Sequence, residues 1–296
     1  MLLNKRIPIS YILNKVKYDL IIVLSVSLSA LFVTNRYQEL LPEMPLTIPA
    51  FIGTAISILL SFKLSQSYDR WWEARKVWGA IVNDSRSLVI QLQSLTSKGN
   101  DEKIKKIAFR QIAWCYSLGQ SLRELDPTDN LDGFISEEDL KEIKKHKNKP
   151  LSLLQLNASD IKQLKETNQL DIFSQLQLDN TLVRLCDSQG KSERIKTTVF
   201  PVTYRLFLHA IIYLFVVTLA IALRVDGLFE IPLLVAISSA FFLLEKTATH
   251  MQDPFDNRPT DTAMTAIAKT IEINIKQLLK ESEIPKPHQQ DKFHLS

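Results

Sequence analysis

Cysteine is scarce in this chain: two residues in 296, Cys115 and Cys186, far apart and in no C-x-x-C pair. No disulfide framework is expected, and both thiols are read as reduced core residues. Glycine is also scarce, with seven residues. Neither Asp132-Gly133 nor Asp226-Gly227 has alternating apolar runs on both sides, so hairpin signals are nearly absent. There is no G-x-G-x-x-G, P-loop, H-E-x-x-H or G-x-S-x-G, and no enzyme constellation stands out. A net charge of +4 gives no reason to invoke nucleic acid. No cleavable leader is evident either. Lys5 and Arg6 are followed by a proline and a mixed segment, so the first apolar run is expected to remain in the mature protein.

What the chain does have is uncharged runs. Its mean hydropathy is near zero, yet charge is missing from Leu20–Asn35, Met44–Phe62, Leu206–Leu223 and Ile231–Leu244. Crossing a bilayer takes roughly 20 apolar residues, with about 17 as a practical minimum. The second and third runs meet that minimum. The first and fourth do so once neighbouring residues or snorkelling flanks are counted. Four spans are therefore expected, at about 20–35, 45–63, 206–224 and 228–245. Basic residues flank them on one side: Lys5, Arg6, Lys15 and Lys17 before the first, and Lys63, Arg70, Arg75 and Lys76 after the second. The positive-inside rule places both ends in the cytoplasm, with short outer loops at Asn35–Leu46 and Arg224–Glu230.

The remainder reads as helix. A short interfacial helix is plausible within Met1–Asp19. In the polar segment 65–204, apolar residues recur at helical spacing, as in Ile104, Ile107, Ile112 and Leu118. Ser136 is a helix N-cap before Glu137-Glu138-Asp139. Asp139–Lys149 reads as a solvated charged helix broken by Pro150, followed by helices over Ser159–Leu170 and Asp171–Leu185, with Gly190 and Pro201 leading into the third span. A last helix is expected over Asp261–Ser282, within a second cytoplasmic segment at 246–283, and a mobile tail over 284–296. The fold class is all-α, an integral membrane protein read as one unit.

The stretch Ile48–Trp78 stands out. No Pro or Gly lies between Gly53 and Gly79, so one long helix is expected to leave the bilayer near Phe62 and continue into water. Thr54, Ile58 and Phe62 share a face of it, as do Phe51, Ala55 and Leu59. Such a face either packs against the other spans or narrows a pore that gates by dewetting. Four spans are too few to enclose a wide polar path, so a pore requires an oligomer. Tyr68, Trp71 and Trp72 suit a membrane–water boundary. Asp69, Arg70, Glu73 and Arg75 beside them stand at pairing distance of three or four residues. Glu245, His250, Asp253 and Asp256 match no ligand spacing of a known metal motif, and capping or hydrogen bonding is the favoured reading over a metal. His209, inside the third span, is either a functional intramembrane group or an interfacial one.

YDRWWEARKVWGAIVNDSR (Tyr68–Arg86), shortly after IGTAISILLSF (Ile52–Phe62), resembles the bacterial branch of the bestrophins. HMQDPFDNRPTD (His250–Asp261) resembles the family's Asp/Asn-Pro-Phe segment after the last span. The resemblance covers essentially the whole chain. It implies a homopentamer of all-helical subunits in the inner membrane, with lipid and permeant ions as partners, no cofactor, and the second span lining the axis. Placed relative to the RWW block, the family's apolar neck falls on Thr54, Ile58 and Phe62, with Thr54 departing from the usual apolar residue. A second constriction falls on Phe173 or the adjacent Ile172. The post-span loop is Asp253, Pro254, Phe255 and Asp256. Its continuation lacks the acidic run through which animal members bind calcium and carries Arg258 instead. Animal members conduct anions such as chloride, and some bacterial members prefer monovalent cations such as sodium. A membrane-anchored helical scaffold that binds a partner is the alternative of another class.

Overall fold

A computed structural model describes residues 8–37, 44–198, 201–223 and 230–287. Among them are nine α-helices and no strand: α1 (Ile9–Arg36), α2 (Thr47–Leu95), α3 (Asp101–Leu122), α4 (Glu137–Lys144), α5 (Lys149–Glu166), α6 (Ile172–Thr197), α7 (Val202–Leu223), α8 (Glu230–Gln252) and α9 (Met264–Leu278). The all-α class is as expected. The chain forms two compact units. One holds α1, α2 as far as Arg70, α7 and α8. The other holds α2 from Trp71 on, α3 to α6 and α9.

The first unit contains the four helices long and apolar enough to cross a membrane. Its core is built from Val16, Val23, Ile56, Leu60, Ile212, Phe215, Val216 and Phe242. Gly53 has a packing reason. A Cβ there would stand 3.1 Å from the Phe215 ring, so glycine lets that ring close on α2. Much of the outer surface is bare aliphatic and aromatic side chain, including Ile21, Leu24, Leu28 and Phe32 on α1 and Leu206, Phe207 and Leu214 on α7. In water such a surface is a liability; in hydrocarbon it is the solvent-facing side.

The second unit is an ordinary helical core around Trp78, Trp114, Ile107, Leu118, Leu185 and Ile271. Arg110 is buried within it, and its guanidinium bonds Asp139 (2.6 Å), Asp160 (2.7 Å) and Asn157 (3.1 Å). A charge taken out of water must be paired in this way.

The boundaries differ from the sequence reading in informative places. The short helix expected before the first span is not separate: α1 runs unbroken from Ile9 to Arg36, and residues 1–7 lie outside the described set. α2 spans 49 residues without interruption: the interval from Gly53 to Gly79 is continuous as expected, and the helix also runs on through Gly79 to Leu95. Ser136 caps α4, accepting from the Asp139 amide at 3.2 Å. Pro150 does not end a helix; it sits in the first turn of α5, where a missing N–H costs nothing. α5 thus starts ten residues before the expected Ser159. Gly190 does not interrupt α6, which continues to Thr197. Asp139 is buried against Arg110 instead of solvated. Cys115 is a buried thiol, whereas Cys186 is exposed on α6. The central parts of both expected outer loops, and residues 288–296 of the tail, lie outside the described residues.

Candidate functional site: the two faces of the long helix

Through its apolar half, α2 has two unlike faces. Ile56, Leu60, Lys63 and Ser67 are buried inside the first unit. Thr54, Ser57, Ile58, Ser61, Phe62 and Ser65 are exposed. Ile58 is 53 % and Phe62 64 % exposed, large values for apolar side chains in the middle of a helix. The Thr54 hydroxyl donates to the Ala50 carbonyl (2.9 Å) and the Ser57 hydroxyl to Gly53 (2.8 Å). Hydroxyls satisfied by their own helix can face a poorly hydrated space without penalty. The three residues suggested for a neck therefore lie on one exposed stripe. At 3.6 residues per turn, Asp69 falls on the same stripe about two turns beyond Phe62. It is exposed and forms no ion pair among the described residues.

The buried face carries a feature that sequence reasoning missed. Lys63, expected as a flanking surface charge, is only 1 % exposed. Its ammonium donates to Glu245 Oε1 (2.7 Å) and to the Thr249 hydroxyl (2.8 Å), which itself donates to the same Glu245 oxygen (2.8 Å). His209 Nε2 stands 3.0 Å from Glu245 Oε2. This answers the question of His209: it belongs to a buried polar cluster joining α2, α7 and α8. The signal was present in the sequence. Lys63 ends the apolar run of α2 and Glu245 ends that of α8.

Beyond Phe62 the aromatic block splits. The Trp71 indole donates to the Thr260 carbonyl (2.9 Å), tying α2 to the loop before α9. Trp72 and Tyr68 are exposed, with the Trp71 and Trp72 rings tilted against each other at 6.3 Å. Of the charges expected to pair locally, Glu73 takes Lys76 at 2.6 Å. Arg70 is half-buried, as is Arg75. Ile172 and Phe173 form the first turn of α6, capped by Asp171, which accepts from the Phe173 and Ser174 amides (2.9 and 3.1 Å). Phe173 is 81 % exposed, and Leu176 continues the bare stripe.

The post-span loop is closed on itself. Phe255 is buried in the core of the second unit. The Thr262 amide donates to the Pro254 carbonyl (3.0 Å) and the Arg258 amide to Asp261 (2.9 Å). The Lys196 ammonium lies 3.0 Å from Asp253, 2.9 Å from Asp256 and 3.7 Å from Glu124. Arg258 also pairs with Asp256. Burial and the neighbouring Asp256 raise the Asp253 carboxyl. At Asp256 burial works in the same direction but is outweighed by hydrogen bonds from Asp253 and Lys196, so its value falls. Burial pushes Asp261 up to about 6. No group of three or more His, Cys, Asp or Glu among the described residues is arranged to hold a metal ion. The acidic side chains of the loop are instead matched by Lys196 and Arg258.

An all-helical membrane protein with one exposed, hydroxyl-dotted apolar stripe on its longest helix is the class that these features define. Residues 5–277 match the family model for the bacterial and fungal bestrophins, and the chain belongs to that family. It is 30% identical over 275 residues to the voltage-dependent anion channel-forming protein YneE of Escherichia coli K12, covering 93% of this chain and 90% of that one. It is 28% identical to the similarly named protein RSc3414 of Ralstonia nicotianae, over 90% of this chain and 87% of that one. The crystal structure of a bacterial bestrophin homolog from Klebsiella pneumoniae superposes with a TM-score of 0.85 at 30% identity, covering 90% of this chain and all of that one.

Proposed function

We propose that the chain assembles as a homopentameric channel for small monovalent ions, chloride foremost, in the bacterial inner membrane with both termini in the cytoplasm. Thr54, Ile58 and Phe62 form its neck, and Ile172 or Phe173 a second constriction. One observation carries this reading: the exposed stripe of α2. The exposed face of the apolar run of α7 (Leu206, Phe207, Ala210, Leu214 and Val217) carries no hydroxyl, whereas the α2 stripe alternates bulky apolar residues with Thr54, Ser57, Ser61 and Ser65 and ends in the charge of Asp69. Side chains of this kind suit a narrow path that wets and dewets. The family supports a channel over an enzyme, and the names of the relatives support an anion as the permeant ion.

A second reading, a sodium-selective channel of the same architecture, is favoured by Asp69, an unpaired carboxylate on the neck stripe. The test of the channel is flux through purified protein in liposomes. Ile58→Ala with Phe62→Ala widens and wets the neck, and about tenfold faster flux corresponds to a barrier lowered by about 1.4 kcal/mol. Vesicles holding intact pentamers that pass no ion, in wild type and variant alike, exclude the reading. Reversal potentials in sodium chloride gradients then give the ion's sign.

A further inference from the structure

Between the second half of α3, the loop that follows it and the start of α9 lies a cavity of about 390 Å³, the size of a small-metabolite site. It lies wholly within the second unit. Its walls include Tyr116, Gln120, Arg123, Phe134, Lys269 and Glu272. The charges among them are unevenly matched. Glu272 is saturated: it accepts from the Tyr116 hydroxyl (2.8 Å) and pairs with Lys269 (2.9 Å) and Lys276 (3.0 Å). Arg123 has no such partner. Its guanidinium donates to the Thr265 hydroxyl (2.6 Å), its Nε finds no acceptor, and it forms no ion pair among the described residues. Burial lowers its pKa, and only the more distant charge of Asp261 offsets this. A guanidinium drawn out of water without a carboxylate is costly, and it is the group best shaped to receive one in two parallel hydrogen bonds. Beside it stands an aromatic wall. The Tyr116 and Phe134 rings stack with centroids 5.7 Å apart. Because the Tyr116 hydroxyl is committed to Glu272, that wall offers apolar surface.

We propose that this cavity binds a small aromatic carboxylate, its carboxylate on Arg123 and its ring against Tyr116 and Phe134. The site is independent of the channel reading. The test uses the purified full-length protein in detergent, with benzoate as the probe and calorimetry and thermal unfolding as readouts. Inorganic phosphate supplies the anion alone, and benzyl alcohol the ring alone. Benzoate is expected to bind saturably and raise the unfolding temperature, with phosphate and benzyl alcohol each at least about tenfold weaker. Arg123→Gln should weaken benzoate by about tenfold or more, the loss of one charge-assisted contact. Phe134→Leu should weaken benzoate and leave phosphate unchanged. Should Arg123→Gln not fold, Arg123→Lys replaces it, with the same loss expected because a point charge lacks the fork. Absence of saturable benzoate binding, or equal affinity in the Arg123 and Phe134 variants, overturns the proposal. Phosphate or benzyl alcohol binding as tightly as benzoate overturns it too, since either would mean that only half of the site is used.

Discussion

Lys63 and Glu245 are the pair on which the first unit depends most at the level of single residues. Both side chains are almost fully buried, so removing one strands the other's charge. Lys63→Met is expected to cost about 3–5 kcal/mol, the usual penalty for breaking a buried pair. The double variant Lys63→Met with Glu245→Leu should recover most of that loss. Thermal unfolding in one fixed detergent measures both, and a single variant as stable as wild type would deny the pair its role. Asp69 makes the opposite kind of prediction, since nothing in the fold needs it. Asp69→Asn should leave the unfolding temperature unchanged. If its stripe faces the permeation path, the same change removes a negative charge from every subunit near the inner mouth. Reversal potentials in a sodium chloride gradient should then move toward chloride. A channel that conducts normally with an unmoved reversal potential would place Asp69 off the ion's route.

Elements behave differently from residues because their ends are set by local chemistry. The loop between α8 and α9 is held by the Lys196 bridge and by Asp261, whose folded value of about 6 lies above the ordinary aspartate range of about 3.9. The folded loop therefore holds the Asp261 proton more tightly than the unfolded chain does. This contribution is complete below about pH 4 and is lost as pH rises through about 6. Asp256, whose value is lowered, stays ionised over that range and does not oppose the trend. Amide hydrogen exchange across residues 253–263, corrected for the intrinsic effect of pH, should show better protection at pH 5 than at pH 7.5. Asp261→Asn keeps an acceptor for the Arg258 amide and removes its titration, so the pH dependence of protection should shrink to the part left by Asp253, whose carboxyl is also raised. What the sequence showed of these elements depended on the signal. The absence of breakers between Gly53 and Gly79 gave the continuity of α2 across that interval but not its run on to Leu95, and Ser136 gave the start of α4. Pro150 and Gly190 misled because each has two readings, and the neighbours that choose between them are distant in sequence. Lys63 misled for the same reason, since its partners lie 182 and 186 residues away. The neck stripe could be drawn from spacing, but only family likeness separated pore from packing. The structure leaves the Ile58 and Phe62 side chains largely exposed.

For the whole molecule, the open question is what covers that stripe. If lipid covers it, Ile58 of one chain never meets Ile58 of another, except by chance collision in the membrane. If five copies surround an axis, their Ile58 side chains converge, and cysteines in their place come within reach of each other's sulfur. Disulfide geometry is strict, with Cβ atoms about 3.5–4.5 Å apart, so oxidation reports this proximity directly. Of the two native thiols, Cys115 is buried, and burial raises it to about 12, which keeps it inert. Cys186 is exposed and must be removed first. In a Cys186→Ser background, Ile58→Cys should give covalent dimers on mild oxidation in membranes, as should Phe62→Cys, whose position is one turn nearer the polar end. Leu28→Cys, equally exposed but on α1, should remain monomeric. Cross-linking at Leu28 matching that at Ile58 would mean random contact, and no cross-linking at either neck position would return the stripe to lipid. Cross-linking at the neck alone, with flux that falls on oxidation and recovers on reduction, ties the convergence of these side chains to the path that the ion takes.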